Sequence, residues 1–202
     1  MVEDNNDVDS LLAFFDQFVS LSKINHDLFR SKLRTKKFAK GELILLQGNI
    51  CKQVLFITKG LARSYFTDFT GKTFTWYFHF NDRDANFENF FAIDFQSFLT
   101  QTPSMITIEA LSEVEGVVLE FKDAIALQPM HSDFEKQSKL ITEQAYITTH
   151  NRSLSLLTLS ASLRYELLLA NEPYLLNKFA NHYIASYLGV TPQSLSRIRG
   201  EI

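Results

Sequence analysis

The sequence predicts an α+β protein in three parts: an antiparallel β region behind two short helices, one long helix, and a small all-α C-terminal unit. Three observations carry this reading. β-branched and aromatic runs broken by glycine turns fill residues 37–121, neither Gly nor Pro occurs between residues 133 and 158, and the segment IASYLGVTPQSLSRIR follows helix-turn-helix grammar. The boundaries they set are 1–132, 133–159 and 160–202.

The elements follow in chain order. Leu11, Leu12, Phe14, Phe15 and Phe18, then Ile24, Leu28, Phe29 and Leu33, recur at three- and four-residue steps and predict two amphipathic helices. From FAKGELILLQG onward the period changes. Short apolar runs punctuated by Lys40-Gly41, Lys59-Gly60 and Gly71-Lys72 predict five or six strands, closing as an antiparallel barrel, sandwich or roll. Within residues 82–104, DFQSFLTQ reads as one or two helical turns capped by Asp94, and MITIEALSEVEGVVLEF adds two more strands. A helix over residues 133–158 would be about 38 Å long. Its apolar stripe is interrupted by Thr148, Thr149, His150 and Asn151, which favours pairing with a second copy over simply covering its own β region, the competing use. Ser160 caps a further helix, and Pro173 helps to end it.

Composition bounds the function. At 202 residues, 23.3 kDa, 46% hydrophobic and 21% charged, the chain is an ordinary globular protein, not a disordered one. Of 19 phenylalanines, 17 lie between Phe14 and Phe121, which divides the chain in two. The net charge of −3 argues against a surface that seeks phosphate or anionic lipid everywhere. Residues 173–202 nevertheless hold Lys178, Arg197 and Arg199 against Glu201, or +2, leaving −5 for the rest. A single cysteine, Cys51, excludes intrachain disulfides and Cys-based metal sites and points to a reducing compartment. The acidic N-terminus MVEDNNDVDS is unlike a secretory signal, and no apolar run is long enough for a membrane span, so a soluble cytoplasmic protein is expected.

In residues 184–199, a first helix ends at Leu188, Gly189 takes the left-handed turn, Val190 plugs inward, and Thr191 caps a second helix that starts at Pro192. Ile184, Leu188, Val190, Leu195 and Ile198 form one apolar face, with the small Ala185 at the crossing. The opposite face carries Thr191, Gln193, Ser194, Ser196, Arg197 and Arg199, side chains suited to phosphates and base edges in a major groove of double-stranded DNA.

With FAKGELILLQG, FLTQTPS, IEALSEVE and IASYLGVTPQSLSRIR in this order, the chain resembles the Crp/Fnr transcriptional regulators from about Leu21 onward, and in particular their compact Bacteroidetes subgroup. The resemblance implies a β-roll similar to a cyclic-nucleotide-binding domain, a dimerisation helix, and sequence-specific DNA binding by a homodimer. It also implies that Arg197 reads guanine, although Pro192 and Gln193 stand where Arg and Glu are frequent in that family. The short connection between residues 172 and 178, and the end of the sequence at Ile202, leave no room for an extra hairpin or a wing. Fewer phosphate contacts and a flatter salt dependence are therefore expected.

The same resemblance places an effector site at Glu88, Asn89, Ser104 and Met105, with Thr149 and His150 from the long helix. Phe87 replaces the family's glycine before the acid, and Pro103-Ser104 replaces its Arg-Ser pair. Between residues 84 and 121 there is no Lys or Arg, against seven carboxylates, so neither cyclic AMP nor cyclic GMP is expected to bind strongly. An uncharged or cationic effector, or a pocket closed by Phe90, Phe91, Phe95 and Phe98, are the alternatives. No cofactor, metal site or catalytic residue is expected: the five histidines are scattered, and SLSLLTLSAS offers no placed base. RNA polymerase is a further partner if the protein activates transcription. A sensor that has lost specific DNA binding is the second reading, and a β-barrel enzyme fares worst.

Overall fold

In the computed structural model, which describes residues 3–19 and 21–201, the β region folds into two antiparallel sheets of four strands each. The strands are β1 (Arg34–Phe38), β2 (Leu43–Leu45), β3 (Gln53–Lys59), β4 (Ala62–Thr67), β5 (Thr73–His79), β6 (Phe91–Ala92), β7 (Thr107–Ala110) and β8 (Val114–Glu120). One sheet runs β1-β8-β3-β6 and the other β2-β7-β4-β5, so strands distant in sequence are neighbours and the chain rolls up on itself. The register places Thr35 opposite Val117 and Leu55 opposite Val118, and β8 is buried on both faces: Leu55, Val117 and Val118 belong to a core shared with Ala62 and Ile108 of the second sheet.

The lead-in helices α1 (Glu3–Asp16) and α2 (Lys23–Lys32) close this core, burying Leu11, Leu12, Phe15 and Phe29. Ser22 caps α2 by accepting from the Asn25 amide, and an Arg30–Asp9 ion pair joins the two helices. The heavy use of phenylalanine has its explanation here. Phe14 meets Phe90 edge-on at 5.2 Å between ring centroids, and Phe56 meets Phe91 at 5.5 Å, in one aromatic layer between α1 and the roll.

Three short elements had no clear signal in the sequence: α3 (Phe87–Phe90), α5 (Phe121–Leu127) with the 3₁₀ turn Gln128–Met130, and α8 (Leu175–Lys178). The expected DFQSFLTQ turns are α4 (Phe95–Thr100), whose Ser97 amide bonds Asp94. The long helix α6 (Ser132–Thr158) buries Phe134 and Gln137 against the first core, while farther along it leaves Tyr146, Ile147, Leu154 and Leu157 exposed. No helix among the described residues is long and apolar enough to cross a membrane.

A second core gathers α7 (Ala161–Asn171), α8, α9 (Asn181–Tyr187) and α10 (Pro192–Glu201). It also contains Phe78 and Phe80, from the end of β5 and just beyond it. The C-terminal unit thus completes its interior with residues that the sequence had assigned to the β region. The reason is geometric: Phe78 stacks on Phe179 with ring centroids 4.0 Å apart.

Candidate nucleic-acid interface

The turn between α9 and α10 is built as its sequence demands. Gly189 adopts φ +71, the Val190 amide donates to the Ala185 carbonyl at 2.9 Å, and Ala185 is fully buried where the helices meet. Thr191 Oγ1 accepts from the Ser194 amide at 3.1 Å, capping α10 one residue before Pro192. Leu195 and Ile198 point into the second core.

Three of the six expected nucleic-acid residues stand free on the outer face: Gln193, Ser196 and Arg197 are exposed, and Arg197 has only a long 3.9 Å pairing with Glu201. The other three are engaged within the protein. Thr191 and Ser194 bond one another at 3.0 Å, and Arg199 turns back to donate to Asn181 Oδ1 at 2.9 Å while lying 5.7 Å from the Tyr165 ring centroid.

Sequence reasoning missed the residues that seat this unit on the roll. Arg152, on α6, donates through Nη2 to the Thr75 carbonyl of β5 at 3.1 Å and to the Tyr187 carbonyl of α9 at 2.8 Å. Its guanidinium lies 3.8 Å from the Tyr187 ring centroid. Arg63 of β4 is sandwiched between Tyr65 and Tyr183, 4.1 Å from each ring centroid, and bonds Glu109 at 3.2 Å. Ser186 of α9 donates to the Thr73 carbonyl and accepts from the Thr75 amide, and Lys178 bridges Asp82 and Asp84 at 2.6 and 3.1 Å. Arg164 ties the end of α6 to that of α9, bonding the Leu159 carbonyl at 2.6 Å and the Leu188 carbonyl at 3.1 Å. Both Arg63 and Arg152 are therefore engaged in seating the C-terminal unit on the roll.

A cavity of about 370 Å³ lies between β5, α3 and α6. Glu88 and Thr149 line it, together with Trp76, Tyr77, Phe91, Phe95 and Tyr146, and no Lys or Arg does. Other expected effector residues are placed differently. Asn89 is buried behind the cavity, donating to the Phe78 carbonyl at 3.0 Å and accepting from the Asn86 amide. Ser104 donates to Asp94 at 2.7 Å, Met105 is exposed, and His150 is exposed and stacked on Tyr146. The phenylalanines do not fill the space: Phe90 belongs to the aromatic layer and Phe98 turns to Phe121. No cluster of three potential metal ligands occurs among the described residues.

Electrostatics link the cavity to the C-terminal unit. Burial raises the Glu88 pKa, and burial together with the Glu88 charge pushes Glu172, at the end of α7, up to about 7. Tyr187 Oη donates to Glu172 at 3.3 Å. With its pKa raised in the folded state, Glu172 favours folding below its ordinary pKa near 4.5, and that contribution is lost as pH rises through about 7. Burial holds His79 down at about 4, an effect of opposite sign that destabilises the fold as pH falls below 6.5. It cancels when two proteins that both keep His79 are compared. The stability gained by Glu172→Gln over wild type is therefore expected to grow by roughly 3 kcal/mol between pH 4.5 and 7, read from urea midpoints. A difference independent of pH would show that Glu172 titrates normally.

No family model and no curated protein matches the sequence. Solved structures do. FixK2 from Bradyrhizobium japonicum superposes with a TM-score of 0.70 at 15% identity, over 84% of this chain and 83% of that one. A Eubacterium rectale protein assigned to the Crp/Fnr regulators gives 0.65 at 17% identity, over 88% and 82%. The c-di-GMP-responsive regulator CLP of Xanthomonas campestris gives 0.66 at 9% identity, over 89% and 91%. Over most of its length the chain has the fold of the Crp/Fnr transcription regulators.

Proposed function

We infer that the protein is a cytoplasmic, homodimeric transcription regulator that binds a specific DNA sequence through α10 and responds to an effector held between the roll and α6. The observation that carries this reading is the capped helix-turn-helix with Gln193, Ser196 and Arg197 free on one face. Arg197 supplies the base-reading guanidinium and the two polar neighbours supply hydrogen bonds to base edges or phosphates. The exposed Tyr146, Ile147, Leu154 and Leu157 side of α6 supports pairing with a second copy, which sets two recognition helices about one DNA turn apart. The absence of Lys and Arg from the cavity lining supports an effector other than a cyclic nucleotide.

The test is binding to a palindromic site selected from random DNA, measured across a salt series. Arg197→Ala is expected to cost about 1–3 kcal/mol on the selected site and to erase discrimination at one base pair per half-site. Unchanged discrimination removes Arg197 from that role. If no site is selected at all, the second reading stands: a sensor without specific DNA binding, favoured by the way Arg199 is tied back to Asn181.

A further inference from the structure

We propose that the cavity between β5, α3 and α6 binds a small organic ammonium ion, held by Glu88 and by the faces of Trp76, Tyr77 and Tyr146. This names the effector class for the regulator reading above and rests on it for its regulatory consequence alone.

Size comes first. An apolar cavity of about 150 Å³ accommodates benzene, and this one, at about 370 Å³, takes a molecule larger than a single ring. Charge then selects among molecules of that size. The walls contribute two carboxylates, Glu88 and Asp94, and no Lys or Arg. Asp94 is already engaged, accepting from the Ser97 amide and from the Ser104 hydroxyl, whereas Glu88 accepts from Asn86 Nδ2 only at a long 3.5 Å and has Thr148 and Glu172 beside it, which makes Glu88 the less committed acid. Arg152 does not line the cavity, since its guanidinium bonds the Thr75 and Tyr187 carbonyls. The Arg152 guanidinium, 5.4 Å from the Trp76 ring centroid, offsets the Glu88 charge only in part, so an anionic ligand would meet walls with two carboxylates and no cation of their own, whereas a cation meets a carboxylate and aromatic rings.

His79 also lines the cavity, 1% exposed, with Nε2 bonding Ser64 Oγ, and burial keeps the ring neutral, so it adds no positive charge that would repel a cation. Burial also penalises a bare Glu88 carboxylate, a cost that a neighbouring ammonium offsets. Because Glu88 and Glu172 feel one another's charge, a cation beside Glu88 also eases ionisation of Glu172 at the docked C-terminal unit.

The protein carries its own reporter, because Trp76 is its single tryptophan and lines the cavity. Fluorescence titration of the full chain without DNA compares 2-phenylethylammonium, the neutral 2-phenylethanol, the anionic phenylacetate, and cyclic AMP. Saturable quenching by the ammonium is expected, about tenfold tighter than by the alcohol, with no saturable response to either anion. Glu88→Gln and Glu88→Ala should abolish the preference for ammonium over alcohol while the circular dichroism spectrum and melting temperature stay near wild type. If Glu88→Gln fails to fold, the wild-type comparison of ammonium with alcohol decides alone. Equal affinity for alcohol and ammonium, tighter binding of an anion, a preference that survives in a folded Glu88 variant, or no saturable response to the ammonium would each overturn the proposal. DNA is absent throughout, so a failure of DNA recognition leaves the result unaffected.

Discussion

Arg152→Ala releases the helix-turn-helix from the roll. One guanidinium joins three elements: it sits on α6, bonds the Thr75 carbonyl of β5 and the Tyr187 carbonyl of α9, and lies against the Tyr187 ring. Hydrogen bonds from a charged donor contribute about 1.5–3 kcal/mol each, so their joint loss should weaken docking by roughly 3–5 kcal/mol. The alanine also leaves two carbonyls without their donor at a half-buried seam. Hydrogen exchange is expected to quicken across α9 and at the Thr75 amide while the first core stays protected, and proteolysis should appear near Leu159, between α6 and α7. Arg152→Lys restores charge but not the forked geometry and should recover only part of the loss. Uniform exchange, unchanged from wild type, would dismiss Arg152 as the clamp.

Gly60→Ala is the second large effect. Gly60 turns the chain from β3 into β4 at φ +95, and a Cβ there would lie 2.1 Å from the Glu113 carbonyl oxygen and 2.9 Å from Val114 Cα. Both neighbours are backbone, anchored where β8 begins, so no side chain can swing away. The left-handed conformation alone costs a non-glycine residue about 1–2 kcal/mol, and the overlap adds to it, so a loss of at least about 3 kcal/mol and a melting temperature lower by roughly 6–12 °C are expected. A shift under about 2 °C would mean that the turn gives way far more easily than its geometry implies.

Local rules made the helix-turn-helix legible, because capping by Thr191, the left-handed turn at Gly189 and the apolar spacing of Ile184, Leu188, Leu195 and Ile198 are all encoded within sixteen residues. The strands and α6 were legible for the same reason: period and the placement of Gly and Pro are local quantities. What could not be read depends on distance in sequence. Arg152 meets Thr75 across 77 positions and Ser186 meets Thr75 across 111, and no spacing rule reaches that far. Short elements escaped as well. The four residues of α3 form because Asn86 and Asn89 bond each other's backbone, and α8 fits a single turn between Pro173 and Phe179. For the cavity, the run without Lys or Arg forecast the chemistry of its walls, but family analogy placed Ser104, Met105 and His150 in a lining that the roll supplies instead from Trp76 and Tyr77.

The presence of Phe78 and Phe80 in the second core bears on how such a protein can be cut and rejoined. A fragment comprising only residues 160–202 forfeits the ring that stacks on Phe179 and leaves an oily hole where β5 had been. A chimera that transplants the helix-turn-helix unit onto a foreign β-roll must therefore carry β5 with it or redesign that floor. Without either, the graft is expected to be sticky and poorly folded, however well the turn between α9 and α10 is kept.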